Sequence, residues 1–301
     1  MGVTTTSKRH QGMPHRDIRQ MAGRCLQVSL LLSLALLPAC SQVVSMAAGD
    51  LAENLSLAIA NNDDPATVKA GGPAYMLMLD GMIQSDPENE QLLAKAAALY
   101  STYGSAFVDD PARARKLSRR ALDYAERALC ASDSDDCGLR KAEFADFEDR
   151  LLQIEDEVVP LFYTFGSAWA GWIQVNSDDW GAIAQIPKLK ALFEHCLKLD
   201  EGYDRGGAHL YLAVLSSQIP PGLGGKPEQG RQHFEQALQI SEGKNLMVHV
   251  LYAEYYARLM FEQELHDRLL SQALNSDIDE PGLTLINALA KKRAAILLEQ
   301  S

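Results

Sequence analysis

The residues best suited to chemistry are five cysteines, seven histidines and one glycine-rich segment that contains a lysine. That segment, Gly-Leu-Gly-Gly-Lys-Pro (222–227), superficially resembles a phosphate loop, but Pro227 stands where Ser or Thr would coordinate magnesium. No His-Glu-x-x-His zinc motif occurs, and Phe165 replaces the first glycine that a nucleophile elbow would need in 165–171. The sequence therefore predicts no enzyme, no metal site and no other cofactor.

The first part of the chain predicts a secretory signal with a lipid attachment site. Basic residues precede an apolar run over 26–37, and this run is shorter than the roughly 20 residues that span a bilayer. It ends in Leu-Pro-Ala-Cys (37–40), which resembles the bacterial lipobox, where small residues fit the peptidase and the thiol takes diacylglycerol. We therefore expect a removed lipoprotein signal peptide over 1–39, a lipidated Cys40 and a short tether over 40–49. A plain signal peptide cut nearby and a short buried helix are the alternatives.

These predictions place the chain at the periplasmic face of the cell envelope, held by lipid. Ser41 follows the lipidated cysteine, and a residue other than Asp there favours the outer membrane. In that oxidising compartment Cys130 and Cys137, with six residues between them, are expected to form a disulfide rather than bind metal, since no His or third Cys is near. The net charge of −12 argues against nucleic acid as a partner.

Apolar residues recur at three and four positions along 50–301, which predicts a single all-α domain. The segments 111–122 and 227–238 resemble each other, and Leu93, Ala96, Ala97 and Tyr100 have the spacing of a tetratricopeptide first helix. Acidic residues stand before prolines that suit first helical turns, at 65, 87, 111 and 281. The predicted architecture is an irregular α-solenoid of tetratricopeptide-like helix pairs.

The longest predicted helix, about 141–176, carries an aromatic face. Its members recur at spacings of three and four: Phe162, Phe165, Trp169 and Trp172. This face either packs into the core or lines an apolar groove or channel, and the sequence leaves both open.

The loop over 219–230 is longer than a tetratricopeptide turn. Prolines stiffen it, and glycines let its backbone approach another group closely. It is either a long surface turn or a loop shaped around a ligand or partner.

Two long stretches, 71–130 and 206–270, resemble the TatT family, the tetratricopeptide-like lipoproteins associated with tripartite ATP-independent periplasmic (TRAP) transporters. The most specific segments are Pro-Pro-Gly-Leu-Gly-Gly-Lys-Pro-Glu (220–228) and the stretch 243–259. The resemblance implies a helical, water-soluble, lipid-tethered trimer whose protomers each contain a hydrophobic pore. It further implies docking of a periplasmic substrate-binding protein and delivery or storage of an apolar, acidic small molecule.

Helical phase and motif position then suggest site residues. Those expected to line an apolar pore are Phe165, Trp169, Trp172, Tyr211, Leu215 and Tyr252. Those expected to meet ligand or partner from loops are Pro221, Gly224, Gly225, Lys226 and Asn245, with Lys226 pairing a ligand carboxylate. The alternative function is a tetratricopeptide scaffold lipoprotein for envelope assembly, without a small-molecule ligand.

Overall fold

The computed structural model describes residues 1–3, 49, 51–218, 220–223 and 225–300. The predictions for Cys40, Gly224 and the leader fall outside these residues. Residues 48–301 form a compact unit of their own. All regular elements in the described ranges are helical, which confirms the predicted all-α class. None of these helices combines the length and apolar character needed to cross a membrane.

The helices follow one another with short connections. Their bounds are α1 (51–60), α2 (Pro65–Ser85), α3 (Glu90–Phe107), α4 (Pro111–Ser132), α5 (Phe144–Leu151), α6 (Val159–Val175), α7 (Trp180–Ile183), α8 (Ile186–Leu199), α9 (Gly207–Ser217), α10 (Pro227–Ile240), α11 (Leu246–Leu251), α12 (Gln263–Asn275) and α13 (Thr284–Glu299). A π-helical turn, Tyr252–Ala257, continues α11. Short 3-10 turns lie at Ser134–Asp136, Leu139–Lys141, Asp156–Val158, Tyr203–Arg205 and Pro221–Leu223.

Side-chain caps set several helix starts, and two of them confirm predicted boundaries. Asp64 accepts hydrogen bonds from the backbone of Ala66 at 2.9 Å and Thr67 at 3.2 Å, so α2 begins at Pro65. Asp110 accepts from the backbone N–H of Arg113 at 2.7 Å, so α4 begins at Pro111.

The prediction was wrong at the other two prolines, which lie in connections. Near Pro87, the side chain of Asn89 caps the backbone of Leu92 at 3.0 Å, so α3 begins only at Glu90. After Pro281, Gly282 takes the left-handed conformation with φ 82°, and α13 begins at Thr284. A proline in a turn and a proline in a first helical turn have the same signature in sequence.

The predicted continuous helix over 141–176 is also wrong, since a break separates α5 from α6. The chain leaves α5 at Leu151, makes the 3-10 turn Asp156–Val158 and starts again at Val159. Pro160 in the first turn of α6 has no N–H to continue an earlier helix. The predicted loop over 219–230 also ends earlier than expected, because α10 begins at Pro227.

Packing is mainly between helices that are neighbours in sequence, such as α3 with α4 and α9 with α10. Leu93, Ala96 and Ala97 on α3 are buried at 1% exposure or less, so small side chains let the helices approach closely. One core cluster joins α2 to α9, and a second joins α10 to α13. The helix α13 returns to α2, and the N–H of Gly282 donates to Oδ1 of Asn61 at 2.6 Å. Leu285 of α13 belongs to the first cluster, so α13 ties the two ends together.

Candidate functional site: an aromatic recess around Asp204

Three tyrosines and a phenylalanine from α6, α8, the 3-10 turn Tyr203–Arg205 and α9 form a cluster beside one carboxylate. The ring of Tyr163 on α6 meets those of Phe193, Tyr203 and Tyr211 edge-on, at centroid distances of 6.0, 5.1 and 5.9 Å. Phe193 and Tyr211 stack at 4.6 Å with an interplanar angle of 4°. The Tyr163 hydroxyl donates to Oδ2 of Asp204 at 2.6 Å. We call these five side chains the aromatic recess.

The connection from α8 to α9 makes this arrangement possible. Asp204, Arg205 and Gly206 all have positive φ, at 48°, 55° and 80°. Non-glycine residues adopt this conformation at a cost of about 1 kcal/mol or more each, so tertiary contacts must hold them there. Gly207 then opens α9, and a Cβ at that position would overlap the Tyr163 hydroxyl and lie 2.9 Å from Oδ2 of Asp204.

The residues of the recess keep some contact with solvent. The side chains of Tyr163, Tyr203 and Tyr211 are only partly buried, and Asp204 is exposed. Burial nevertheless raises the pKa of the Asp204 carboxyl, against the lowering effect of the Tyr163 hydrogen bond and of Arg205. Burial also raises the pKa of Tyr203 and of Tyr211 to about 12.

The charges around the recess are mainly acidic. The guanidinium of Arg205 donates to Oε1 of Glu280 at 2.6 Å and to the carbonyl of Pro281 at 3.0 Å, and its charge also acts on Asp204. Asp200 and Glu53 both act on the Tyr203 hydroxyl and raise its pKa. Among the described residues, Asp204 has no ion-pair partner within 4 Å.

Two of the residues predicted to line a pore belong to this region. Tyr211 is a member of the recess. Leu215 lies one helical turn further along α9 and is partly buried against the same core. Both keep accessible surface, as a lining role requires.

Three other predicted lining residues lie on the opposite face of α6 from Tyr163. Phe165 and Trp169 have no exposed surface, and Trp172 is 8% exposed. Trp169 contacts Phe147 at 6.1 Å, and its indole N–H donates to Gln185 at 2.8 Å. These contacts are those of a packed core, and a lining role for the three residues stays a prediction.

Tyr252 belongs to an aromatic group separate from both the recess and the contact of Trp169 with Phe147. It is 3% exposed and stacks on Phe234 at 4.9 Å with an interplanar angle of 11°. No ring contact links it to the recess in the described chain. The six predicted lining residues are thus distributed over three places.

The residues predicted to meet a ligand or partner from loops also lie in different environments. Pro221 and Lys226 are exposed, and the backbone of Lys226 donates to the Ser216 carbonyl at 3.3 Å. The pKa of the half-buried Lys190 amine is lowered by burial and then by the charge of Lys226, so the two lysines are neighbours. Gly225 is partly buried and donates to the Pro220 carbonyl at 3.1 Å.

Asn245 is buried and serves a structural purpose, because its side chain caps α11 by accepting from the backbone of Met247 at 3.2 Å. In another part of the fold, Cys130 and Cys137 are joined as a disulfide with their Cα atoms 4.4 Å apart. This is the pairing expected from their spacing.

The sequence reasoning missed Tyr163, Phe193, Tyr203 and Asp204. One signal was available, because Tyr-Asp-Arg-Gly-Gly (203–207) places two glycines directly before an apolar helix. That pattern indicates a tight helix connection with left-handed residues, and such connections bring nearby side chains into unusual positions.

Comparison with known proteins agrees with the resemblance seen in the sequence. A family model described as TAtT, the TRAP transporter T-component, matches residues 61–301. A search of curated proteins found no match. The family match covers most of the chain, including every helix from α2 to α13. The chain therefore belongs to the TAtT family of TRAP transporter T-components.

Proposed function

We propose that this chain is a periplasmic TRAP accessory that docks the substrate-binding protein and binds or passes an apolar small-molecule ligand. The observation that carries the proposal is an aromatic recess with accessible surface inside a TAtT-family fold. Family membership supports the transporter role, and the recess supports the ligand role.

The ligand site is the aromatic recess, extended along α9 by Leu215. Its rings offer apolar surface, and burying such surface contributes roughly 25 cal/mol per Å². Phe193 is fully buried and stacks on Tyr211, so the wall is rigid. A rigid wall loses little conformational freedom when a ligand enters.

The partner surface is the connection between α9 and α10. Pro221 and Lys226 are exposed there, beside the amine of Lys190. Within the described residues neither lysine has an ion-pair partner within 4 Å, although Glu194 acts on Lys190, and on a chain of net charge −12 the two form a local positive patch that suits an acidic partner surface. We further propose that the helix pairs form an irregular tetratricopeptide-like solenoid and that three protomers assemble.

The membrane attachment is Cys40, with residues 40–49 as a tether and the outer membrane as the destination. Replacing Cys40 by Ser should release the protein from the membrane fraction of cells. Cys25→Ser in the same leader is the matched control and should leave fractionation unchanged. Equal membrane retention of both variants would contradict lipid anchoring at Cys40.

The docking proposal is tested by sedimentation of the mature chain with a TRAP substrate-binding protein from the same organism. We expect a complex that Lys226→Ala weakens severalfold. Lys116→Ala on the exposed face of α4 is the matched control. If no complex forms, or if both lysine variants behave alike, the assigned docking surface is wrong. Native mass spectrometry of the same preparation should reveal a copurified apolar ligand.

A further inference from the structure

We propose that the hydrogen-bonded pair His209 and His233 is an acid-sensitive latch, which holds α9 against α10 at neutral pH and loosens this helix pair in mild acid. The inference goes beyond the proposed transport role and requires neither a ligand nor a partner. It concerns two histidines that the sequence predictions did not single out.

The latch is a direct contact between two imidazole rings on neighbouring helices. Nδ1 of His209 on α9 lies 2.8 Å from Nδ1 of His233 on α10, and the ring centroids are 5.1 Å apart. Nε2 of His209 lies 3.1 Å from Oε1 of Glu201. His209 is 5% exposed, and His233 is partly buried. Both nitrogens of a nearly buried ring are therefore engaged.

Glu201 determines where the hydrogens lie when both rings are neutral. A carboxylate only accepts hydrogen bonds, so Nε2 of His209 carries its hydrogen. A neutral imidazole has one N–H, so Nδ1 of His209 is an acceptor and Nδ1 of His233 donates to it. The contact thus requires one particular tautomer of each ring.

Protonation works against this arrangement. When both rings are protonated, all four ring nitrogens are donors, so two N–H groups face each other and the hydrogen bond is lost. Burial, followed by the charges of His209 and Lys190, lowers the pKa of His233 to about 4. A histidine released to water has an ordinary pKa of 6.5. Between these two values the open helix pair binds a proton that the closed pair does not, so acid favours opening.

The charges nearest to the pair are mainly basic. On α8, the half-buried amine of Lys190 acts on His233, and Lys226 at the start of α10 acts in turn on Lys190. The opposing carboxylates are Glu201, which is exposed, and Glu194, which acts on Lys190. A further positive charge on the imidazoles is therefore opposed by its surroundings.

Other titratable groups on the elements that pack against α9 and α10 have different contacts. On α8, Lys188 donates to the carbonyl of Arg140 at 3.2 Å, and Lys198 acts on His195. The groups on the remaining elements with contacts outside the pair are Tyr163, Arg205, His249, Tyr252, Glu254 and Tyr256.

The latch lies in a close contact between the two helices. At Gly230 on α10, an added Cβ would lie 2.8 Å from the carbonyl oxygen of Ala213 and closer still to Oγ of Ser217, both on α9. His209 lies one helical turn before Ala213, and His233 lies one turn after Gly230. A charge on these rings therefore gains full hydration only when the helices move apart.

Loosening of the helix pair also affects the start of α10. The N–H of Lys226 donates to the carbonyl of Ser216 on α9 at 3.3 Å. Separation of the helices breaks this bond and releases the backbone that places the lysine. Acid would then alter the docking surface proposed above, but the latch does not depend on that surface.

The test is hydrogen exchange of the mature chain, measured by mass spectrometry at about pH 7.5 and about pH 5 and corrected for the pH dependence of intrinsic exchange. We expect the protection of α9 and α10 to fall by about tenfold or more in acid. Protection of α3 and α4, which contain no histidine, should change by less than about twofold. Equal losses in both helix pairs would indicate global acid unfolding and overturn the inference.

Two variants separate the latch from the other histidines. His233→Asn removes the titrating ring but keeps an N–H donor near the place of Nδ1, so the loss in α9 and α10 should shrink to less than about twofold. His266→Asn on α12 is the matched control, because His266 contacts Asp267 instead, at 2.9 Å, and this variant should keep the full loss. An acid loss that His233→Asn retains overturns the inference.

A second measurement needs no variant. Proton–nitrogen correlation spectra of the imidazoles at about pH 7.5 should show the Nδ1–H tautomer for His233 and the Nε2–H tautomer for His209. Nε2–H on both rings, or a charged ring at this pH, overturns the latch even if the variants fail to fold.

Discussion

Asp80 and Asp204 both accept hydrogen bonds from tyrosine hydroxyls, but of the two only Asp80 forms an ion pair with an arginine in the described chain. Asp80 accepts from Tyr100 at 2.8 Å and from Tyr124 at 2.6 Å. Arg120 lies 3.0 Å from its carboxylate and also covers both rings, with its guanidinium carbon 5.5 and 5.6 Å from their centroids. Asp204 has one tyrosine donor, and its neighbour Arg205 is paired elsewhere.

This difference distinguishes a carboxylate that holds helices together from one that is available to a ligand. Around Asp80, both carboxylate oxygens accept hydrogen bonds and Arg120 pairs with the charge, so the group joins α2, α3 and α4. Around Asp204, one oxygen has no donor among the described residues, and the backbone has positive φ at two non-glycine residues. Proteins retain such incomplete, strained arrangements mainly where a ligand completes them. The predictions below test that contrast.

The largest effect is expected from Asp80→Ala. Two tyrosine hydroxyls and Arg120 would lose a shared acceptor that is only 12% exposed. We expect the free energy of unfolding to fall by about 2–4 kcal/mol, measured by urea denaturation. Asp109→Ala, on the exposed turn before α4, should change it by less than about 0.5 kcal/mol. A small effect of Asp80→Ala would remove the distinction between the two aspartates.

The second effect concerns Gly207. An added Cβ would overlap the Tyr163 hydroxyl, so the tyrosine must leave Asp204. We expect Gly207→Ala to destabilise the fold by about 1–3 kcal/mol. Gly81→Ala is the matched control, because it lies inside α2 with nothing within 4 Å of the added Cβ. It should stabilise by about 0.5–1 kcal/mol, and equal gains for both variants would contradict the packing described here.

Much of the fold was predictable because its signals are local. Asp64 and Asp110 cap helices that begin at the next residue, and both caps depend only on adjacent residues. Pro87 and Pro281 were misjudged because the deciding features, the Asn89 cap and the left-handed Gly282, act a few residues later. The break before Pro160 was overlooked although proline itself signals it.

The recess was predictable only in part, because it depends on which helix faces meet. The aromatic face Phe165, Trp169 and Trp172 was the stronger periodic signal, yet it is buried against other helices. Tyr163 lies on the other side of α6, where one ring among small residues gives no periodicity. Tyr211 could be anticipated from its place on α9. Asp204 could not, since its orientation follows from a turn whose strain is held by tertiary contacts.

The third prediction compares the hydroxyls of Tyr124 and Tyr163. Tyr124→Phe removes a hydrogen bond to Asp80, a partly enclosed carboxylate that pairs with Arg120. The free energy of unfolding should fall by about 1–2 kcal/mol. Tyr163→Phe removes a bond to Asp204, which is exposed and can be solvated by water instead, so the cost should stay below about 1 kcal/mol. Urea denaturation of the two variants under identical conditions measures the difference. The reverse order would mean that Asp204 belongs to a structural network like that of Asp80.

The smallest effect is a change in pH dependence. Burial raises the pKa of the Asp204 carboxyl in the folded chain above its unfolded value of 3.8. Between these two values the folded state holds a proton that the unfolded state has released. The free energy of unfolding contributed by this group therefore falls as the pH rises through that window, and is constant below and above it.

Asp204→Asn cannot titrate, so it should lack this decline. The measurement is the stability of the unmodified chain minus that of Asp204→Asn, from urea denaturation at pH values from below 4 upward. Taking the difference cancels the contributions of carboxyls whose pKa is lowered, such as those of Asp133 and Asp178. Their contributions to the free energy of unfolding are lost as the pH falls. We expect the difference to decrease with rising pH. An increase would mean that a basic group stabilises the ionised carboxylate of Asp204 in the folded chain.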